Sequence, residues 1–127
     1  MREITVICEN RVGALADVCE ALGGVGVNIK AISAMGVGAT GIIRLITADE
    51  TSAKNVLEKA GFRVELGDVL SVKLRDRPGE LAKVARKLAT GGVDIESVYI
   101  IGRSNDEVEV AIKPKNMKAA TAALRGR

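Results

Sequence analysis

Residues 9–15 read ENRVGAL, and residues 75–81 read RDRPGEL. Their glycines, Gly13 and Gly79, lie 66 positions apart. At that shift Arg11 falls on Arg77, Leu15 on Leu81, Ala16 on Ala82, Val18 on Val84 and Leu22 on Leu88. Further on, Gly26 falls on Gly92, Val27 on Val93 and Ile29 on Ile95, while Asn10 meets Asp76 and Asn28 meets Asp94. The agreement needs no gap and follows the apolar pattern. The chain therefore reads as a duplication of one unit of about 65 residues.

Each unit has a legible order of elements. EITVICE alternates and is rich in β-branched residues, which predicts a strand. Leu15, Val18, Cys19 and Leu22 then recur at helical spacing, and GGVG ends that helix. VNIKAISAM is a second strand, GVGATG a turn and IIRLITA a third strand. DETSAKNVLEKAG predicts a helix with Asp49 or Thr51 as its cap and Gly61 as its stop. FRVEL is a short fourth strand. The order β-α-β-β-α-β is the split βαβ of a ferredoxin-like α+β sandwich, with both helices on one sheet face and strand order 4-1-3-2. The second unit opens with VLSVKLR. It continues with a helical stripe of Leu81, Val84, Ala85 and Leu88, the hairpin strands VDIESVYII and EVEVAIK, and the helix NMKAATAAL. No fourth strand is expected there. The domains are thus 1–67 and 68–127, the second without its last strand. The unpaired edge and the thin core of each unit predict a homodimer or higher oligomer.

Composition excludes several classes. The 127 residues are 47% hydrophobic and 28% charged, which suits a globular chain. There is no histidine, the usual neutral-pH acid–base group and common metal ligand. Cys8 and Cys19 are the only cysteines, too few for a disulfide framework, and read as packing residues. No cofactor and no metal site is expected. The opening MREITVICEN reads as a strand rather than a signal peptide, and no apolar run is long enough to span a bilayer. A reduced, cytoplasmic protein without membrane contact follows as the expectation. The net charge of +3 gathers in the tail KPKNMKAATAALRGR. A solvated helix explains that tail better than nucleic acid does, since Phe62 and Tyr99 are the only aromatics and no dense basic stripe exists.

Gly36-x-Gly38-x-x-Gly41 matches the dinucleotide fingerprint by letter. That fingerprint requires a following helix, and a β-branched strand follows here, so a hairpin turn is expected. The repeated loop has more chemistry. Pro78 suits a first helical turn, and Gly13 and Gly79 allow backbone or ligand to come close. The amides of a helix start favour a carboxylate, and Asn10 and Asn28 offer donors and acceptors, so the loop can hold an α-amino acid. The plainer reading makes Asn10 and Asp76 helix caps. From one copy the caps are favoured; two copies of the same chemistry bring the readings level.

ENRVGAL…GVNI and RDRPGEL…GVDI resemble the ACT domain, a small-molecule-binding regulatory module, and the resemblance covers essentially the whole chain as two tandem units. Unit one is similar to the serine-binding regulatory ACT domain of phosphoglycerate dehydrogenase, whose loop reads His-x-Asn-Arg-Pro-Gly. In that family the histidine, the loop asparagine and the asparagine of GVNI contact the effector across a two-domain interface. The matching positions are Cys8, Asn10 and Asn28, and both Cys8 and Val12 depart from the pattern. The resemblance implies an amino-acid ligand, although not serine itself. The candidate binding residues are Cys8, Asn10, Arg11, Val12, Gly13, Ala14, Leu15 and Asn28, with Asp76, Pro78, Gly79, Glu80, Leu81 and Asp94 in unit two. Asp76 and Asp94 together would repel a ligand carboxylate, which makes unit two the weaker or different site. The expected function is non-catalytic sensing of a small metabolite. The alternative is a regulatory subunit docking on an amino-acid biosynthetic enzyme, like the acetolactate synthase small subunit. A small ferredoxin-like enzyme or RNA-binding module lacks support, since no acylphosphatase-like phosphate loop and no exposed aromatic pair is present.

Overall fold

The computed structural model describes residues 1–125. The chain forms two compact units, one of Arg2–Gly67 and one of Asp68 onward together with Met1. Met1 joins the latter because its carbonyl accepts from the Val69 amide at 3.1 Å.

The first unit runs β1 (Arg2–Glu9), α1 (Ala14–Gly24), β2 (Ile29–Val37), β3 (Thr40–Thr47), α2 (Glu50–Lys59) and β4 (Arg63–Asp68). Its sheet has the order β2-β3-β1-β4, as the split βαβ pattern demands. Alternation along β1 turns Ile4 and Val6 toward the helices, where they meet Val18 and Leu22 of α1 and Ala53 and Leu57 of α2. The opposite β1 positions carry Glu3, fully buried, and Thr5. There the Thr5 hydroxyl and Arg44 Nη1 both donate to Glu3 Oε1, at 3.2 and 3.3 Å.

The second unit repeats this with β5 (Leu70–Arg75), α3 (Glu80–Thr90), β6 (Ile95–Ser104), β7 (Glu107–Pro114) and α4 (Met117–Arg125). Its sheet has the order β5-β7-β6, over a core of Val84, Leu88, Val93, Val108, Val110, Ile112 and Ala120. Among the described residues no strand follows α4, as expected, so β5 stands at a sheet edge. The end of the expected second domain, residues 126–127, lies outside the described residues.

Two local expectations are corrected. Pro78 is not in the first helical turn. The Ala14 amide donates to the Arg11 carbonyl at 3.2 Å and the Glu80 amide to the Arg77 carbonyl at 3.4 Å, closing a four-residue turn before each helix. The third turn residue is glycine in both, with φ 91°, ψ −6° at Gly13 and φ 85°, ψ −9° at Gly79. These are type II turns, in which proline prefers the second position and the third needs positive φ. The glycines therefore serve the backbone first. A Cβ on Gly79 would meet nothing within 4 Å, so close approach is not what requires it. The helical stripes are also shorter than their spacing suggests. Val18, Leu22, Val84 and Leu88 are buried, but Leu15 and Leu81 are each 45% exposed, and Ala85 is exposed.

Gly13→Ala and Gly79→Ala should each destabilise the protein by about 1–2 kcal/mol, the cost of a left-handed non-glycine residue. Denaturant unfolding checks this, and an unchanged midpoint for either variant would contradict the turn assignment. The cap of α2 gives a pH prediction. Asp49 accepts from the Ser52 hydroxyl at 2.7 Å and the Ser52 amide at 3.1 Å. These hydrogen bonds favour its ionised form and hold its carboxyl below the usual range. Its contribution is thus present above the ordinary carboxylate pKa and is lost as pH falls through the lowered folded value. The melting-temperature gap between the parent and Asp49→Ala should be full at neutral pH and close as pH drops below about 4. A gap independent of pH would refute the cap's ionic character.

Candidate functional site

The residues after β1 reach over to the neighbouring hairpin. The Asn10 amide nitrogen donates to the Ala39 carbonyl at 2.9 Å. Its side-chain Nδ2 donates to the Gly38 carbonyl at 3.0 Å. In the second unit the Asp76 backbone amide donates to the Asp106 carbonyl at 2.7 Å. Arg103 Nη1 donates to Asp76 Oδ2 at 2.6 Å. Each loop is therefore latched to the tip of its own hairpin, β2–β3 or β6–β7, and Asn10 and Asp76 are not helix caps. Helices α1 and α3 have no side-chain cap at all. By contrast α2 is capped by Asp49, and the Ala119 amide of α4 donates to Asn116 Oδ1 at 2.9 Å.

Behind each latch lies a cavity. In the first unit it measures about 200 Å³ and is lined by Cys8, Glu9, Asn10, Arg11, Ala14 and Leu15 with Ala34, Met35, Gly36, Gly41 and Ile43 of the hairpin. In the second it measures about 140 Å³ and is lined by Leu74, Arg75, Asp76, Arg77, Glu80 and Leu81 with Ile100, Arg103, Val108 and Val110. Strand register makes the two places equivalent, since Cys8 faces Gly41 on β3 as Leu74 faces Val108 on β7. Leu15 and Leu81, whose exposure contradicts the simple stripe, are both lining residues. A larger cavity, about 700 Å³, opens near the end of α1 and along α2 beside Val25, Ser52, Asn55, Val56, Glu58 and Lys59. It contains no residue of the repeated loop, so size alone does not select it.

The structure thus brings Cys8, Asn10, Arg11, Ala14 and Leu15 together, and likewise Asp76, Glu80 and Leu81. Val12 is fully exposed. Val12, Gly13, Pro78 and Gly79 build the turns but do not line the cavities. Asn28 lies at the other end of its sheet, where its carbonyl accepts from the Ala48 amide at 3.1 Å, just past the end of β3. Asp94 holds the same place in its unit, with Lys115 Nζ at 3.2 Å. Within their unit Asp76 and Asp94 are apart, and each has a basic partner.

Hairpin residues were missing from the sequence reading, and the signal for them was the glycine series read as a turn. A Cβ on Gly36 would lie 2.5 Å from Asn10 Nδ2, and one on Gly41 would lie 3.0 Å from Cys8 Sγ. The glycines make room for the loop. The turn itself is confined to Gly38 and Ala39.

The electrostatics differ between the units. Arg11 Nη2 donates to Asp17 Oδ2 at 2.6 Å, and this contact raises the arginine's pKa further. Glu80 accepts from Lys83 Nζ at 2.9 Å, which holds its carboxyl below the usual range. Asn10 uses Nδ2 in the latch, leaving Oδ1 as an acceptor beside the cavity. Among the described residues no group of three or more His, Cys, Asp or Glu is placed to hold a metal ion. No helix among them is long and apolar enough to cross a membrane.

Comparison with known proteins accords with this duplicated architecture. A crystal structure of a protein from Bacteroides thetaiotaomicron is similar with a TM-score of 0.87 at 31% identity, over 98% of this chain and 85% of that one. The ligand-free regulatory subunit of aspartate kinase from Thermus thermophilus is similar with a TM-score of 0.71 at 24% identity, over 98% and 87%. The same subunit from Thermus flavus gives 0.68 at 21%, over 98% and 90%. At these last two identities the likeness concerns the fold. No curated protein matches the chain. A family model described as an ACT domain pair matches residues 1–122, and the chain belongs to that family.

Proposed function

We propose that the chain is a non-catalytic regulatory protein that binds a small amino acid in the cavity between the β1–α1 loop and the β2–β3 hairpin of the first unit. The observation that carries this reading is the contrast in caps. Helices α2 and α4 satisfy their first amides with Asp49 and Asn116. Helices α1 and α3 start without a side-chain cap, beside cavities. First-turn amides without a side-chain partner suit a ligand carboxylate. Asn10, which lines the first cavity and keeps Oδ1 as an acceptor, suits an ammonium. A volume of about 200 Å³ falls below the usual range for drug-sized ligands, which restricts the occupant to a small metabolite. Asn28, distant within its own unit, reaches this ligand from a facing ACT unit, supplied in the proposed homodimer by a second copy.

A second reading, a regulatory subunit docking on an amino-acid biosynthetic enzyme, rests on the edge strand β2. There Ile32, Met35 and Val37 are exposed. The aspartate kinase regulatory subunits it resembles in fold carry that role in their names. Co-purification of a large catalytic partner separates the two readings.

A thermal-shift screen against the twenty amino acids and their biosynthetic intermediates should find a stabilising ligand. Losing one hydrogen bond to a charged group costs about 1.5–3 kcal/mol. Asn10→Ala should therefore weaken calorimetric affinity about ten- to a hundredfold, and Asp76→Ala should affect the same ligand less. Because Asn10 also latches the hairpin, affinity is read on protein shown to be folded by circular dichroism. Undiminished affinity in folded Asn10→Ala, or no amino acid binding the parent at millimolar concentration, would overturn the proposal in favour of the docking reading.

A further inference from the structure

We propose that the cavity at the end of α1 and along α2 is a second site, for a carboxylic acid with an apolar body, held by Val25, Asn55, Val56 and Lys59. The second unit shows what opens it. Val25 is the residue after α1, as Gly91 is the residue after α3. Strand β6 has 10 residues against 9 in β2, so beyond the hairpins the repeat shift grows by one. The capping residues Asp49 and Asn116 accordingly lie 116 − 49 = 67 positions apart. At that shift Ala53 falls on Ala120, both fully buried, and Val56 falls on Ala123. A Cβ on Gly91 would lie 2.7 Å from Ala123 Cβ, so the end of α3 lies against α4. Two valines at these places cannot come as close, and between α1 and α2 the space stays open. A Cβ on Gly23, Gly24 or Gly26, at the same end of α1, would meet nothing within 4 Å.

The volume, about 700 Å³, falls in the usual range for a small-molecule site. Val25 is 54% exposed and, with Val56, gives the cavity an apolar wall. Ser52 and Asn55, which line it, correspond to Ala119 and Ala122 of α4. The Ser52 hydroxyl donates to Asp49. Among the described residues neither the Asn55 nor the Lys59 side chain forms a hydrogen bond or ion pair. Glu58, the one acid lining the cavity among them, is matched by Lys54 at 3.2 Å. The last carbonyls of α2 are also taken: those of Val56, Leu57 and Glu58 accept from the amides of Ala60, Phe62 and Gly61, each at 3.0 Å. The donors left for a ligand are the Lys59 ammonium and the Asn55 amide, which suit a carboxylate. The valines suit an apolar body. This inference is independent of amino-acid binding at the loop cavity, and either can fail alone.

The test is calorimetry on the full chain, with octanoate, acetate and octanol in separate titrations. Octanoate should bind saturably. Acetate lacks the apolar body and octanol the carboxylate, so each should bind at least about tenfold more weakly. Lys59→Ala and Asn55→Ala should each weaken octanoate about tenfold. Lys30→Ala, an equal loss of charge on β2, should leave affinity unchanged. Val25→Gly combined with Val56→Ala installs the pair found in the second unit and should abolish binding. Circular dichroism confirms that each variant is folded. No saturable binding of octanoate at millimolar concentration would overturn the site. So would octanol binding as tightly as octanoate, since the carboxylate would then not be recognised. A loss in Lys30→Ala as large as that in Lys59→Ala would do the same, because binding would follow net charge alone.

Discussion

The attachment of each β1–α1-type loop to its own hairpin is the constraint on which the site depends. The contacts from Asn10 to Gly38 and Ala39 hold the loop against the hairpin that forms the opposite wall of the first cavity. The latch has its own requirements. Gly36 must lack a Cβ, because one would lie 2.5 Å from Asn10 Nδ2. Gly13 must adopt positive φ so that the type II turn can swing the chain from strand to helix within four residues. The second unit keeps the turn and the cavity but replaces the side-chain hydrogen bond by the Asp76–Arg103 ion pair. Retention of the geometry under changed chemistry argues that the loop–hairpin closure matters more than the residues that make it.

Much of this fold was legible because the chain states its pattern twice. The strand alternation, the helical stripes and the strand order all followed from local periodicity and from the topology rules for split βαβ units. Errors arose where local sequence serves two geometries equally. Pro78 suits a first helical turn and the second position of a type II turn, and only the hydrogen bond from Glu80 to Arg77 distinguishes them. Leu15 and Leu81 satisfy helical spacing, yet side chains at a helix start tilt toward its N-terminus. That tilt takes them to the cavities rather than into the core. Gly36 and Gly41 carried a signal that could not be read locally, because their partners Asn10 and Cys8 meet them only through strand register.

The candidate residues divided along the same line. Of those contiguous with the loop, Cys8, Asn10, Arg11, Ala14 and Leu15 gather at one cavity, while Val12 and Gly13 build the turn that holds them there. Asn28 and Asp94 follow the helices, and each helix carries the chain back to the far end of its sheet. Asn28 was included for its amide chemistry and for the resemblance, neither of which fixes where it lies within the unit. The charge reversals from Glu9 to Arg75 and from Asp17 to Lys83 were visible in the aligned repeats.

The central claim is that the repeated loop is a ligand cradle and not merely a turn. Amide-resolved NMR titration of the folded protein tests it most directly, using the amino acid that stabilises the protein most. The account predicts that amides of residues 10–17 and of the hairpin residues 36–41 shift together and saturate along one binding curve. Shifts confined to the face of α2 near Asn55 and Lys59, or no saturating shift in the loop with any amino acid, would contradict it.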